Sequence, residues 1–191
     1  MSGMSTLKKK TADARARRSR QALLDAFFVL VLTRAYEELT VQTIAARAGV
    51  GRSTFYAHFP GKNALLAASL AGPFTTLADA VRETDNTAAL TAILEHFWSN
   101  RARARGVFTG TMRRHAVAVL VRLIEQRLRE ARAARAPALR LPPRLVAIQL
   151  AEVLFAPLAA WLTGESVCAA PKLAQALRRS ARAVTAAMRL G

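Results

Sequence analysis

The chain holds one cysteine, Cys168, in 191 residues. A single thiol excludes an intrachain disulfide and any cysteine-built zinc site, and it suits a reducing compartment. Acidic residues are also few, 12 Asp and Glu against 29 Lys and Arg. That shortage leaves no paired carboxylates for general acid–base chemistry, and no Ser/His/Asp constellation or glycine-rich phosphate cradle stands in for them. There are three histidines, and His96 and His115 are too scattered to argue a metal site. No catalytic residue, cofactor or metal is therefore expected. Glycine is modest at nine residues, strand patterns are lacking and alanine is abundant, a balance that favours helix.

Apolar surface and positive charge are plentiful. Hydrophobic residues make up 52% of the chain and charged ones 21%, the balance of a folded protein. The formal net charge of +17 points to an acidic partner, nucleic acid or an anionic membrane. The excess is spread along the chain: residues 1–70 carry 11 basic and 4 acidic side chains, and residues 71–191 carry 18 and 8.

Two segments bear on the membrane alternative. Residues 15–20 are basic and 26–32 apolar, as in a signal peptide, but Asp25 heads the apolar run and the helical register continues past it. The longest apolar stretch, residues 146–162, is interrupted by Gln149, Glu152 and Pro157, which argues against a bilayer span. A cytoplasmic protein with no membrane partner is the expectation.

Periodicity places the elements. Residues 1–14 read as a disordered basic arm carrying Lys8, Lys9 and Lys10, either a solvated tail or an arm that tracks DNA. A helix starts at Arg15, with Leu23, Leu24, Phe27, Phe28, Val31 and Leu32 at helical spacing, and ends near Ala35. Thr40 caps a short helix through Ala48 in which Val41, Ile44 and Ala45 face inward. Gly49-Val50-Gly51 is a turn, Arg52 to His58 a second short helix, and Pro60 closes it. Lys62 opens a longer helix into the late seventies, interrupted at Gly72-Pro73.

Stripes at Leu90, Ile93, Leu94 and Phe97, and at Val117, Leu120, Val121, Ile124 and Leu128, predict further helices. Residues 145–162 are apolar on nearly all sides. In the last helix, Leu173, Leu177, Ala181, Val184 and Met188 oppose Arg178, Arg179 and Arg182. The fold class is all-α, with a helix-turn-helix domain over 15–71 and a second helical domain over 72–191.

Two short helices joined at a glycine turn meet the demands of a helix-turn-helix. The second must be exposed and polar at its N-terminus, because those residues reach base edges in the major groove. Arg52, Ser53 and Thr54 fit: arginine pairs bidentately with guanine, and a threonine methyl meets a thymine methyl. Thr43, Tyr56 and His58 are donors suited to phosphate oxygens, and Lys62 at a helix N-terminus adds charge and dipole to such a contact.

The wording of the segment is more specific than its pattern. Thr40-Val41-Gln42-Thr43-Ile44-Ala45-Ala46-Arg47-Ala48-Gly49-Val50-Gly51-Arg52-Ser53-Thr54-Phe55-Tyr56-Ala57-His58-Phe59-Pro60-Gly61-Lys62 resembles the DNA-binding signature of the TetR (tetracycline-repressor-like) family. Arg20-Gln21-Ala22-Leu23-Leu24-Asp25-Ala26 looks like that family's first helix, and the resemblance runs from Arg18 to Leu66. It implies a homodimeric, ligand-responsive repressor that binds double-stranded operator DNA of palindromic sequence and takes an unknown small-molecule effector in a variable C-terminal domain.

Thr43, Arg52, Ser53, Thr54, Tyr56, His58 and Lys62 carry over from the resemblance as DNA contacts, and Phe55 and Phe59 as core residues. Ala35 stands where the family often has glycine, so the first turn is expected to be built differently. In the C-terminal part, Phe97, Trp98, Phe108, Met112 and His115 are candidates to line the effector pocket, against the alternative of simple core packing. The dimer is expected through residues 145–162 and 173–188, as an intermolecular four-helix bundle.

Overall fold

The computed structural model describes residues 3–31 and 33–189; among these it has nine α-helices, three short 3-10 turns and no strand. The chain folds as two units, Met1–Ser69 and Leu70–Gly191. The expected fold class is the observed one.

Unit 1 contains α1 (Gly3–Val31), α2 (Val41–Arg47), α3 (Arg52–His58) and the start of α4 (Lys62–Ala78). Leu23, Ala26, Phe27, Leu30 and Val31 recur at steps of three and four along α1, and all five are buried. Helix α1 packs on α2 and α3, where Ile44, Ala45 and Phe55 are buried, and Leu65 and Leu66 of α4 are buried in the same unit. Burying a side chain the size of Leu or Phe is worth about 1.5–3 kcal/mol, so this core outweighs the weak propensity of two seven-residue helices.

Local chemistry sets the ends of those short helices. Thr40 caps α2 by accepting the Thr43 N–H at 3.1 Å. At the other end Gly49 adopts φ +66°, and Gly49 N–H and Val50 N–H return to the carbonyls of Ala46 and Ala45. That pair of bonds closes α2 in the manner a left-handed glycine permits.

Two expectations need correction, the basic arm and the break in α4, and the expectation of a differently built first turn agrees with the structure. The segment expected to be a disordered arm is helical from Gly3, since no proline or interior glycine interrupts residues 4–31. Helix α4 is continuous through Pro73 rather than broken there. A proline inside a helix costs roughly 3 kcal/mol. Phe74, Leu77 and Ala78 directly after it are 0% exposed, and their burial offsets that cost. Ala35 is extended, with φ −60° and ψ 139°, so the turn after α1 needs no glycine at that position.

Unit 2 is built from the rest of α4 with α5 (Thr87–Ser99), α6 (Arg101–Phe108), α7 (Arg113–Ala133), α8 (Pro143–Thr163) and α9 (Ala170–Ala187). Helix α8 packs against α6, α7 and α9. Its Leu150, Leu154, Phe155 and Leu158 are fully buried. Phe155 joins Phe74 and Phe108 at ring separations of 6.1 and 4.6 Å, and Phe97 adds to Phe108 at 5.4 Å. Arg127, nearly buried, pairs with Asp79 at 2.6 Å and so ties the turn after α4 to α7.

By length and composition alone, residues Lys62–Val81 and Pro143–Thr163 reach the hydropathy of a membrane span, with mean hydropathy 1.4 and 1.9. Gln149, Glu152 and Pro157 therefore do not exclude α8 on that test. Its apolar side chains nevertheless have another use, as the centre of the unit 2 core.

Candidate nucleic-acid interface

Helix α3 is anchored by two rings. Phe55 is 0% exposed and Phe59, its C-cap residue, is 4% exposed, the rings 6.0 Å apart. Anchoring through positions four apart leaves the opposite side of the helix free. Around that anchor Arg52, Ser53 and Tyr56 are exposed, and Thr54 and His58 half-buried. Tyr56 is half exposed although it is a large aromatic, its ring edge-on to Phe55 at 5.5 Å. An exposed tyrosine with exposed arginine and serine and a half-buried threonine is a surface of donors with an aromatic body, suited to phosphates and base edges. Among the described residues, the side chains of Arg52, Ser53 and Tyr56 have no hydrogen-bond or ion-pair partner, so their polar groups are available to a ligand.

Two predicted contacts stand differently. The Thr43 hydroxyl, half-buried at the start of α2, shares a hydrogen bond of 2.9 Å with the Thr40 hydroxyl. It can still accept or donate one further bond. Lys62 is engaged within the chain. Its ammonium donates to the carbonyl oxygens of Tyr36 at 2.9 Å, Glu37 at 3.2 Å and Leu39 at 3.0 Å. All three of its N–H bonds are thus occupied inside unit 1, where they hold the 3-10 turn Tyr36–Glu38 to the N-terminus of α4. The carbonyls that capture Lys62 lie more than twenty residues away in sequence, so nothing near Lys62 signals the capture.

Tyr36 completes this arrangement. It is buried, packs edge-on against Phe27 at 6.3 Å, and its hydroxyl bonds Asn63 Oδ1. Burial, with the nearby Glu37 charge adding to it, pushes the phenol up to about 12.

Sequence reasoning passed over Arg20 as a site residue. Its guanidinium lies 5.4 Å over the Phe59 ring, beside the C-terminus of α3. An exposed arginine less than one turn before the first buried stripe residue, Leu23, carried no sequence signal that it would reach the α3 side.

The effector candidates do not gather as a set. Phe97, Phe108 and Met112 are buried core, and Phe97 and Phe108 belong to the aromatic cluster around Phe155. Trp98 lies instead against Trp161 at 4.6 Å, with Arg101 over its ring at 4.6 Å. His115 is half-buried and accepts from Arg114 Nε at 3.1 Å. A groove of about 500 Å³ in unit 2 is lined by Glu83, Thr87, Gln175, Arg178, Arg179 and Arg182. Among the described residues no three His, Cys, Asp or Glu side chains are grouped to hold a metal ion.

Residues 23–69 match the family of bacterial regulatory proteins, tetR family. Unit 1 is a TetR-family helix-turn-helix domain. The fold of the whole chain is also that of a TetR regulator. A TetR transcriptional regulator from Streptococcus agalactiae aligns with TM-score 0.56 at 23% identity, over 90% of this chain and 97% of its own. The Thermus thermophilus repressor FadR, solved in complex with lauroyl-CoA, aligns at 21% identity and TM-score 0.46, over 90% and 96%. NalD, a secondary repressor of a multidrug efflux pump in Pseudomonas aeruginosa, aligns at 21% and 0.47, over 87% and 96%. No curated protein matches the chain. The TetR-family match ends at residue 69, so unit 2 lies outside it.

Proposed function

We propose that the chain is a sequence-specific transcriptional regulator, a homodimer that represses from a palindromic operator and releases it on binding a small molecule. The observation that carries this reading is helix α3, anchored by Phe55 and Phe59 while Arg52, Ser53 and Tyr56 stand in solvent. Arg52 and Ser53 at its N-terminus read bases, Thr54 adds a methyl for thymine, and Thr43, Tyr56 and His58 fix the register on phosphates. Catalysis is not part of this reading, and the cytoplasm is where such a protein meets its DNA.

Dimerisation is supported by faces that unit 2 leaves uncovered. Leu145, Ile148, Ala156 and Pro157 of α8 are exposed, Leu145 and Ile148 by 49% and 42%. On α9, Ala176, Ser180, Ala183 and Ala187 recur at steps of four and three and are exposed. Small side chains at that spacing let a second helix approach closely, and a second copy supplies the same pair of faces about a two-fold axis.

The ligand response would work through α4. Phe74 of this helix lies in the aromatic cluster with Phe108 and Phe155. Leu65 and Leu66 of the same helix belong to the unit 1 core. An effector that parts Phe97 and Phe108 would press on Phe74, and a hundredfold loss of operator affinity requires about 2.7 kcal/mol of preference for the released state.

The test is binding to the DNA that flanks its own gene, compared with a mixed-sequence duplex of the same length. Preferential binding, lost in Arg52→Ala while random binding persists, supports base reading. Equal binding to both duplexes by the unaltered protein overturns it.

A further inference from the structure

The positive charge of unit 1 does not sit on its helix-turn-helix. Residues 1–22 hold seven Lys and Arg (Lys8, Lys9, Lys10, Arg15, Arg17, Arg18 and Arg20) against one acid, Asp13. Residues 23–70 hold four basic residues against three acidic ones. One of those four is Lys62, whose ammonium is occupied by three backbone carbonyls. The part of the chain that carries the family signature is therefore close to neutral, whereas non-specific affinity for DNA comes almost wholly from cations on phosphates.

The structure shows where the missing charge is displayed. Helix α1 begins at Gly3, but its first buried residue among those described is Leu23. Residues 13–22, none of them buried, thus carry the helix about 15 Å before it enters the core. Arg15, Arg17, Arg18 and Arg20 are all exposed on this extension. Among the described residues the guanidinium groups of Arg15 and Arg17 have no partner, and that of Arg18 uses only Nε, on the Ala14 carbonyl at 3.4 Å. Arg20 lies over Phe59 at the end of α3. Arg17 is one turn further out on the same face, so that face runs on from the recognition helix in a line of guanidinium groups.

We infer that the α1 extension is the electrostatic half of the DNA interface, a phosphate-binding rod continuous with α3 that engages duplex backbone without reading its sequence. The inference rests on the DNA-binding reading of α3 and assigns to a different element the affinity that α3 lacks the charge to supply. Helical placement turns some arginines away from any one surface, so of Arg15, Arg17 and Arg18 about two reach phosphates at once.

The test uses the full chain with Arg15, Arg17 and Arg18 all changed to Gln, and the same flanking and mixed-sequence duplexes. These residues lie outside the core, and circular dichroism checks that the helix is kept. The expected result is a fall in the slope of log K against log salt by about 2, since each phosphate contact contributes about 0.9. Both duplexes weaken by the same factor, so the ratio between them holds. An unchanged slope overturns the inference while leaving base reading by α3 intact. Equal affinity of the unaltered protein for the two duplexes overturns the base-reading claim, and a slope that still falls keeps the rod. If the unaltered protein binds neither duplex but binds phosphatidylserine vesicles through these arginines, the partner is a membrane surface and both claims fail.

Discussion

The Lys62 ammonium lies 4.6 Å from the centre of the Tyr36 ring and donates to the Tyr36 carbonyl oxygen at 2.9 Å. One cation thus joins the turn after α1 to the start of α4, through a ring face and three carbonyls together. A lysine that looks like a phosphate ligand in the sequence acts here as an internal tie. Lys62→Ala should destabilise the protein by about 1–3 kcal/mol, the range for a charge-assisted hydrogen-bond group partly shielded from water. Chemical denaturation measures this. A variant of unaltered stability whose DNA-binding salt slope falls by about 0.9 would instead place Lys62 on a phosphate.

Tyr36 gives the tie a dependence on pH. The phenol has its ordinary value of 10.0 in the unfolded chain and is pushed up to about 12 by burial in the folded one. The folded state therefore favours the neutral phenol. Its stabilising share is complete below pH 10 and is lost as the pH climbs from 10 towards 12. In a Tyr56→Phe background Tyr36 is the sole remaining tyrosine, so ultraviolet titration reports it alone. Tyrosinate should appear late and together with unfolding. Ionisation near pH 10 in a chain that stays folded would contradict the burial argument.

Arg52 and Phe55 separate reading from holding. Arg52→Ala removes an exposed side chain, so stability should change by less than about 0.5 kcal/mol. Discrimination at one operator position should fall by about 1–3 kcal/mol. Phe55→Ala empties the only fully buried position of α3 and should cost about 3–5 kcal/mol in stability. A competition assay across single-base operator variants, run beside thermal melts, distinguishes the two.

What could be read from sequence follows the range of the interactions involved. The bounds of α3 and the cap at Thr40 were legible because a threonine, two glycines and a proline act within a few residues of themselves. The exposed row Arg52, Ser53 and Tyr56 was legible for the same reason, since Phe55 and Phe59 fix which side turns inward. The intrachain bonds of Lys62 were not legible because its partners Tyr36 to Leu39 are distant in sequence. Continuity of α4 was hidden because Gly72-Pro73 is a local break signal overruled by burial of Phe74 and Leu77. Trp98 and Phe97 are neighbours in sequence, yet successive residues on a helix point about 100° apart, and the two rings enter different clusters.

The dimer proposal meets its sharpest test at Ile148. This residue is 42% exposed within the chain, so Ile148→Glu should leave the fold of one subunit intact. Val153, one turn further along α8, is half-buried already, and a charge there would confuse unfolding with dissociation. In an isologous interface each substitution appears twice, and an uncompensated buried carboxylate costs several kcal/mol. At about 1.4 kcal/mol per tenfold, the dissociation constant should rise by about a thousandfold or more. Sedimentation velocity at micromolar protein should then show a dimer for the unaltered chain and a monomer for the variant, with melting temperatures alike. Binding to a palindromic duplex should drop sharply, because two recognition helices no longer act as one ligand, while binding to a single half-site should persist. A monomeric unaltered chain, or a variant that stays dimeric, would move the interface away from this face of α8.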